Sequence, residues 1–291
     1  MIELLYLLAT GFGVGLLSGL LGVGGGVLMT PILHLMGMPL PLAVGTTLAQ
    51  MIGSSLSGSY KHWKQGHIYW PVIKKFGLAN ISGVIIGKVA LIYVSSLSHD
   101  NSYLTIGYSA FLALIAVGIV FKEKQSKPQL PRIEMGKGAP PIPLYFASLL
   151  GIGIGVISGM SGLGGGFFYV PVFLYLFQLE TTRAVASSLV IVVLTSITGT
   201  VSYALAGLVD WKTALLLACG SVAGGYVGAL LTSRVGGPAL KMYFAGLVGV
   251  ASLATFLRYL NMSDFALFLL FASAFLVIST SICRCVRKYD A

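Results

Sequence analysis

Two glycine triplets at corresponding places in the chain have the type and spacing expected of a ligand site: Gly24, Gly25, Gly26 and Gly164, Gly165, Gly166. Each triplet interrupts an apolar segment. The helix that follows such a break presents unpaired N–H groups and a positive dipole end, which favour an anion. Glycine has no side chain, so the backbone can approach a ligand closely. The alternative is that glycines only let helices pack closely, and we assign that role to Gly11, Gly15 and Gly19.

Hydroxyl and amide side chains follow each triplet at the start of the next apolar segment. Hydroxyls can donate to an oxyanion without adding a charge that would trap it. They can equally bond to a helix carbonyl or to a neighbouring helix, and both roles stay open. A glutamine one turn further on has isoleucine as its repeat partner, and it fits a substrate contact or a structural bond. The candidates are Thr46, Thr47, Gln50, Ser187 and Ser188.

Lys88 is the one basic residue well inside a predicted span. Basic residues within membranes are costly and often functional, so Lys88 could attract an anion. It lies near the outer end of its span, so its side chain could also reach the interface by snorkelling. All eight carboxylates fall at segment ends or in loops, which argues against a cation as the main substrate.

Composition indicates a polytopic membrane protein. The chain has 291 residues, of which 56% are hydrophobic and 9% charged, against roughly 25% charged in soluble proteins. The net charge of +10 comes from basic residues beside the spans, where they set orientation, so we expect no nucleic-acid partner. Cys283 and Cys285 are too few ligands for a metal site, and no constellation of buried His, Asp and Glu residues is evident, so we expect no metal, no cofactor and no enzymatic activity.

The chain is an internal duplication. Residues 11–31 match residues 151–171, and AVGTTL at 43–48 matches AVASSL at 184–189. Two broken helices at corresponding positions of two halves are typical of a transporter binding site. The second broken segment covers residues 142–177. Outside the two broken segments, apolar stretches predict helices near 43–60, 70–94, 103–121, 183–205, 211–233, 239–259 and 265–282.

The distribution of Lys and Arg predicts orientation. With the basic stretch at 122–140 in the cytoplasm, residues 61–75, Arg183, the Arg234–Lys241 region and the Arg284–Lys288 tail also fall inside. This works if each broken segment is a re-entrant hairpin that enters and leaves on one side. Each half then has three crossings, so the halves are inverted. The N-terminus lies outside and the C-terminus in the cytoplasm. One long tilted span per glycine segment is the alternative.

The predicted fold is therefore all-α, in four parts. A first membrane repeat covers residues 1–121, a cytoplasmic basic linker 122–140 and a second membrane repeat 141–260. An extra transmembrane helix and cytoplasmic tail cover 261–291. Each repeat is a glycine-broken hairpin plus three transmembrane helices, in a multi-pass protein of the cell membrane.

The doubled pattern GxxSGxxGxGGGxxxxP, with AVGTTL and the GxxxW at 66–70, resembles the TauE/SafE family of sulfite and sulfonate exporters. The resemblance implies a permease for small sulfur oxyanions or organosulfonates such as sulfite, sulfoacetate or sulfolactate. It also implies that the glycine triplets and the two hydroxyl pairs line the anion path. An anion channel, or a transporter of thiosulfate or a carboxylate, is the alternative.

Overall fold

The computed structural model describes residues 2–97, 101–125, 143–232, 237–260 and 262–287, and eleven α-helices make up nearly all of these ranges. They are α1 Ile2–Leu21, α2 Gly26–Leu35, α3 Leu40–Lys64, α4 Trp70–Leu97, α5 Asn101–Gln125, α6 Leu144–Ser161, α7 Gly166–Tyr175, α8 Thr181–Ala204, α9 Trp211–Thr232, α10 Gly237–Tyr259 and α11 Ser263–Arg287.

The helix breaks fall where the glycine triplets predict them. α1 ends at Leu21 and α2 begins at Gly26, while α6 ends at Ser161 and α7 begins at Gly166. α3 is longer at both ends than predicted. α5 continues to Gln125, past the predicted start of the linker at 122, and residues 126–142 lie outside the described part of the chain.

The early glycines of the first half bring α1 against α9. A methyl group on Gly11, Gly15 or Gly19 would overlap the α9 backbone at Leu217, Ser221 and Gly225, respectively. The packing role that the sequence suggests for these glycines is confirmed. Because residue numbers rise together along both helices, α1 and α9 run parallel. In the second half Gly155 and Gly159 meet α4 in the same way, at Asn80 and Val84, and Gly151 lies beside Phe76 and Ala79 without such an overlap.

The first broken segment turns back on itself. Gly25 lies beside Val14 and Ser18, so the chain has already reversed direction at the triplet. α3 begins where α9 begins, since the Thr46 hydroxyl accepts a hydrogen bond from the Asp210 N–H. α1 starts at this end too, because it runs parallel to α9. The α1–α2 hairpin therefore enters and leaves at one end of the bundle, the Asp210 end.

The second broken segment has the opposite placement. Gly165 lies beside Ile154 and Ser158. α8 begins where α4 begins, since the Ser187 hydroxyl accepts a hydrogen bond from the Tyr69 N–H. α6 runs parallel to α4, so the α6–α7 hairpin enters and leaves at this other end, the Tyr69 end. We infer from these directions that the two halves are inverted copies.

Within the described residues, five helices are long and apolar enough to cross a membrane: Leu4–Leu21, Trp70–Leu97, Thr181–Ala204, Trp211–Leu231 and Ser263–Thr280. α3 is not among them although it has 25 residues. Its threonine, serine, glutamine and glycine residues lower its hydropathy, and they are tolerated because most of the helix is buried in protein. Large apolar side chains such as Leu78 and Phe268 point outward, as lipid-facing residues do.

Cysteine labelling tests the proposed orientation. In a variant lacking Cys219, Cys283 and Cys285, single cysteines replace Lys64 at the Tyr69 end and Ala206 at the Asp210 end, both exposed. We expect a membrane-impermeant reagent to label position 64 from the cytoplasmic side and position 206 from the outside, since basic loops stay in the cytoplasm. A single cysteine at position 287 should be labelled from the cytoplasmic side, as at position 64. Labelling of positions 64 and 287 from opposite faces would exclude the inverted hairpins.

Candidate functional site

The two glycine breaks meet each other at the centre of the bundle. A methyl group on Gly26 would overlap the Gly162 carbonyl, and one on Gly166 would overlap the Gly22 carbonyl. This reciprocal contact is what two related halves produce around a pseudo-twofold axis. Met51 of α3 touches both breaks, at Gly24 and Gly164. The junction of the two hairpins is thus a single site to which both halves contribute.

The glycines are required first by backbone geometry. Each break has three glycines in the left-handed region, with φ 73°, 85° and 82° at Gly22, Gly24 and Gly25 and similar values in the second half. Other residues adopt such angles only at a cost. Gly26 has an ordinary φ, and the close approach of the other hairpin explains why it lacks a side chain. The triplets would be needed even without a ligand.

The breaks leave helix N-termini uncapped at the junction. Gly25 precedes α2 and Gly165 precedes α7, and neither helix has a side-chain cap. The Leu28 and Met29 N–H groups both bond to the Gly25 carbonyl. The earlier N–H groups of a helix have no intrahelical acceptor, and the dipole gives this end about half a positive charge. The start of α2 therefore suits an anion.

α3 carries polar side chains in the stretch that passes the junction, between Val44, which lies beside Gly162, and Met51 and Ser54, which lie beside Gly24. Thr47, Gln50 and Ser54 follow one another at helical spacing, and the Ser54 hydroxyl donates to the Gly24 carbonyl at 3.3 Å. Thr47 and Gln50 are fully buried, and among the described residues neither the Thr47 hydroxyl nor either amide atom of Gln50 has a hydrogen-bond partner. A buried polar group without a partner costs free energy. Both residues thus have hydrogen-bonding capacity left for a ligand at the junction.

Three other predicted site residues have structural bonds instead. The Thr46 hydroxyl accepts a hydrogen bond from the Asp210 N–H, just before α9, at 3.0 Å. The Ser187 hydroxyl accepts one from the Tyr69 N–H, just before α4, at 2.9 Å. The Ser188 hydroxyl donates to the carbonyls of Gly22 and Val185, at 2.9 Å and 2.8 Å. Of the two roles left open for the hydroxyl pairs, the geometry favours the structural one for these three. The Thr47 hydroxyl, in contrast, has no hydrogen-bond partner in the described part of the chain.

The comparison with known families gives a match over most of the chain. The family described as "Sulfite exporter TauE/SafE" matches residues 7–255. The chain belongs to the TauE/SafE family.

Relatives of this TauE/SafE chain carry general names. A "Probable membrane transporter protein YunE" from Bacillus subtilis is 30% identical over 246 residues, covering 79% of this chain and 88% of that protein. A "Probable membrane transporter protein YjnA" from the same organism is 28% identical, covering 84% and 96%. "Probable membrane transporter protein MJ0441" from Methanocaldococcus jannaschii is 28% identical, covering 85% and 93%. No solved structure matches the chain.

Lys88 of the TauE/SafE chain lies on α4 and is partly exposed. Its neighbour Gly87 packs against Val156 of α6, so Lys88 belongs to the surroundings of the second hairpin. We expect Lys88→Met to change anion affinity less than about twofold, because a long side chain that is partly exposed can snorkel to the interface. Lys88→Arg, which keeps the charge, is the control. A tenfold weaker affinity in Lys88→Met alone would place Lys88 in the anion path.

A buried network on the second hairpin was not predicted. The Tyr169 hydroxyl donates to the Asn80 side-chain oxygen at 3.0 Å, and the Asn80 amide donates to the Thr195 hydroxyl at 2.7 Å. Phe76 packs edge-on against Tyr169 and Phe173. The sequence signal was Asn80, an amide within an apolar helix. This network ties α7 to α4 and α8.

A separate cavity of about 280 Å³ lies between α4, α5 and α6. Its walls are mainly apolar and include Leu91, Phe111 and Met160. The Tyr108 hydroxyl, which also lines it, donates to the Ser161 carbonyl at 3.1 Å. This cavity has the lining of an apolar contact surface, whereas the hairpin junction has the donors that an anion needs.

Proposed function

We propose that this TauE/SafE protein is a secondary transporter of small sulfur oxyanions, such as sulfite or an organosulfonate, rather than an enzyme. The observation that carries the proposal is the uncapped start of α2 at the junction, together with the buried side chains of Thr47 and Gln50, which have no hydrogen-bond partner among the described residues. The family description and the names of the relatives support transport across the membrane. The geometry supports an anion as the cargo.

The chemistry of the junction favours weak binding and easy release. Backbone N–H groups, a hydroxyl and an amide can replace the hydration of an oxyanion without a formal opposite charge. A fully charged partner would hold the anion more tightly and slow its departure. The Gln50 amide also offers an acceptor, which suits an oxyanion that carries a proton, such as hydrogen sulfite.

The mechanism we propose is alternating access around the junction. All the side chains named there are buried, so an anion reaches them only if one hairpin moves relative to its neighbours. The hairpins open to opposite ends of the bundle, and movement of one or the other would expose the junction to one side at a time. α1 and α6 each pack through glycines on a helix of the other half, so movement of a hairpin would involve both halves.

Uptake into proteoliposomes tests the proposal. We expect radiolabelled sulfite to enter vesicles that contain the purified protein, with a rate that saturates and that rises when the vesicles are preloaded with unlabelled sulfite. Such exchange requires a carrier whose binding site returns to the outside with unlabelled sulfite bound. Uptake that stays linear in concentration would indicate a channel. If thiosulfate or a carboxylate is taken up with saturation and sulfite is not, the substrate is a different anion and the protein is still a carrier.

A further inference from the structure

The two halves supply unequal groups to the junction. In the repeat alignment Gln50 pairs with Ile191, so the amide has an apolar counterpart. Thr47 pairs with Ser188: the Thr47 hydroxyl is unpaired, whereas the Ser188 hydroxyl donates to two carbonyls. The first half thus has free hydrogen-bonding capacity where the second half has none at these positions.

The breaks differ in the same direction. Ser18 and Ser158 are equivalent residues, but the Ser18 hydroxyl is unpaired and the Ser158 hydroxyl donates to the Ile154 carbonyl at 2.6 Å. In the second break the Ser161 hydroxyl accepts a hydrogen bond from the Leu163 N–H at 3.4 Å. Leu21 stands at the equivalent place in the first break and cannot accept such a bond. The second break therefore satisfies part of its own backbone.

The helices after the breaks differ as well. Tyr169 anchors α7 through Asn80, while its counterpart in α2 is Met29, which has no hydroxyl to form such a bond. Thr30 of α2 is buried, and Val170 replaces it in α7. α7 is held through Tyr169, and α2 is held near its C-terminal end, where the His34 ring nitrogens lie 2.9 Å from the Met38 carbonyl and 3.0 Å from the Thr105 hydroxyl. Beside the N-cap of α2, the Ser18 hydroxyl has no partner among the described residues.

We propose that the anion site is one-sided: the N-terminus of α2, with Thr47 and Gln50 of α3, binds the anion, and the second half is its structural support. The inference rests on the proposed function, because it specifies which of two related half-sites takes the oxyanion. Unpaired buried polar groups are rare because they destabilise the fold. Three such side chains, Ser18, Thr47 and Gln50, belong to the first half, and their counterparts are paired or apolar, which a ligand at the junction would explain.

Exchange of equivalent residues tests the one-sided site. Gln50→Ile copies the second half into the first, and Ser188→Ala removes the hydroxyl that the second half uses structurally. Binding of sulfite and of methanesulfonate is measured on the full-length protein in nanodiscs, together with melting temperature. We expect Gln50→Ile to weaken binding about tenfold or more and Ser188→Ala to change it less than twofold.

The melting temperatures should move in opposite directions. Gln50→Ile removes an amide that has no hydrogen-bond partner in the described part of the chain, so the protein should melt higher without a ligand. Ser188→Ala removes two formed bonds and should melt lower. Unchanged affinity in Gln50→Ile, or equal losses in both variants, would overturn the one-sided site. If the wild type binds neither anion, the proposed function fails. The one-sided anion site then fails with it, whereas unchanged affinity of Gln50→Ile beside a wild type that binds the anions overturns the one-sided site alone.

Discussion

Gly26→Ala and Gly166→Ala should each leave little folded protein. The new methyl group would overlap the Gly162 or the Gly22 carbonyl, and these backbone atoms can move only if the two hairpins separate. Overpacking of a tight contact costs about 1–3 kcal/mol and occasionally more, and here we expect the upper part of this range. The measurement is the monodisperse fraction and the melting temperature of purified protein in detergent.

The chain offers a matched control for this prediction. Gly13 and Gly153 are also equivalent glycines of the two halves, and a methyl group on either would meet nothing within 4 Å. Alanine there should be neutral or stabilising by about 0.5–1 kcal/mol, since glycine inside a helix is unfavourable. A Gly26→Ala protein as stable as Gly13→Ala would mean that the two breaks do not touch.

Singly charged oxyanions should bind at least about tenfold more tightly than sulfate, which carries two charges. The donors at the junction are neutral, and each helix N-terminus contributes only about half an elementary charge. The free energy needed to remove an ion from water rises with the square of its charge, so it is about four times as large for a dianion as for a monoanion of similar size. Every fully buried polar side chain in the described residues is of an uncharged type or histidine.

The pH dependence of binding checks this charge preference. Sulfite loses its last proton near neutral pH, whereas methanesulfonate keeps a single charge. The apparent affinity for total sulfite should therefore fall as the pH rises through the titration of hydrogen sulfite, and that for methanesulfonate should stay constant. Sulfate binding as tightly as methanesulfonate would show that a formal positive charge lies at the site.

The sequence predicted the helix breaks and the glycine packing because both depend on local chemistry. Only glycine adopts the left-handed angles of Gly22, Gly24 and Gly25 without cost, and only glycine at four-residue spacing lets α1 approach α9 so closely. Valine at Gly25 would strain the backbone whether or not a ligand binds there, so it cannot separate binding from folding.

The roles of the hydroxyls could not be read from the sequence, because their partners are far away along the chain. Thr46 bonds to the Asp210 N–H and Ser188 to the Gly22 carbonyl, both across the two halves. Hydropathy likewise does not identify α3 as a transmembrane helix, because its polar residues lower the mean hydropathy of the segment. Gln50 was recognisable as an amide without a counterpart, and the structure adds that nothing in the described residues satisfies it.

The most direct test of the account is the position of a bound anion. A structure of the full-length protein in nanodiscs with selenite, a heavier analogue of sulfite, would locate it by its strong scattering. We predict density within hydrogen-bond distance of the first N–H groups of α2 and of the Gln50 amide. Density in the cavity between α4, α5 and α6, or at the start of α7 with Gln50 unpaired, would contradict the account.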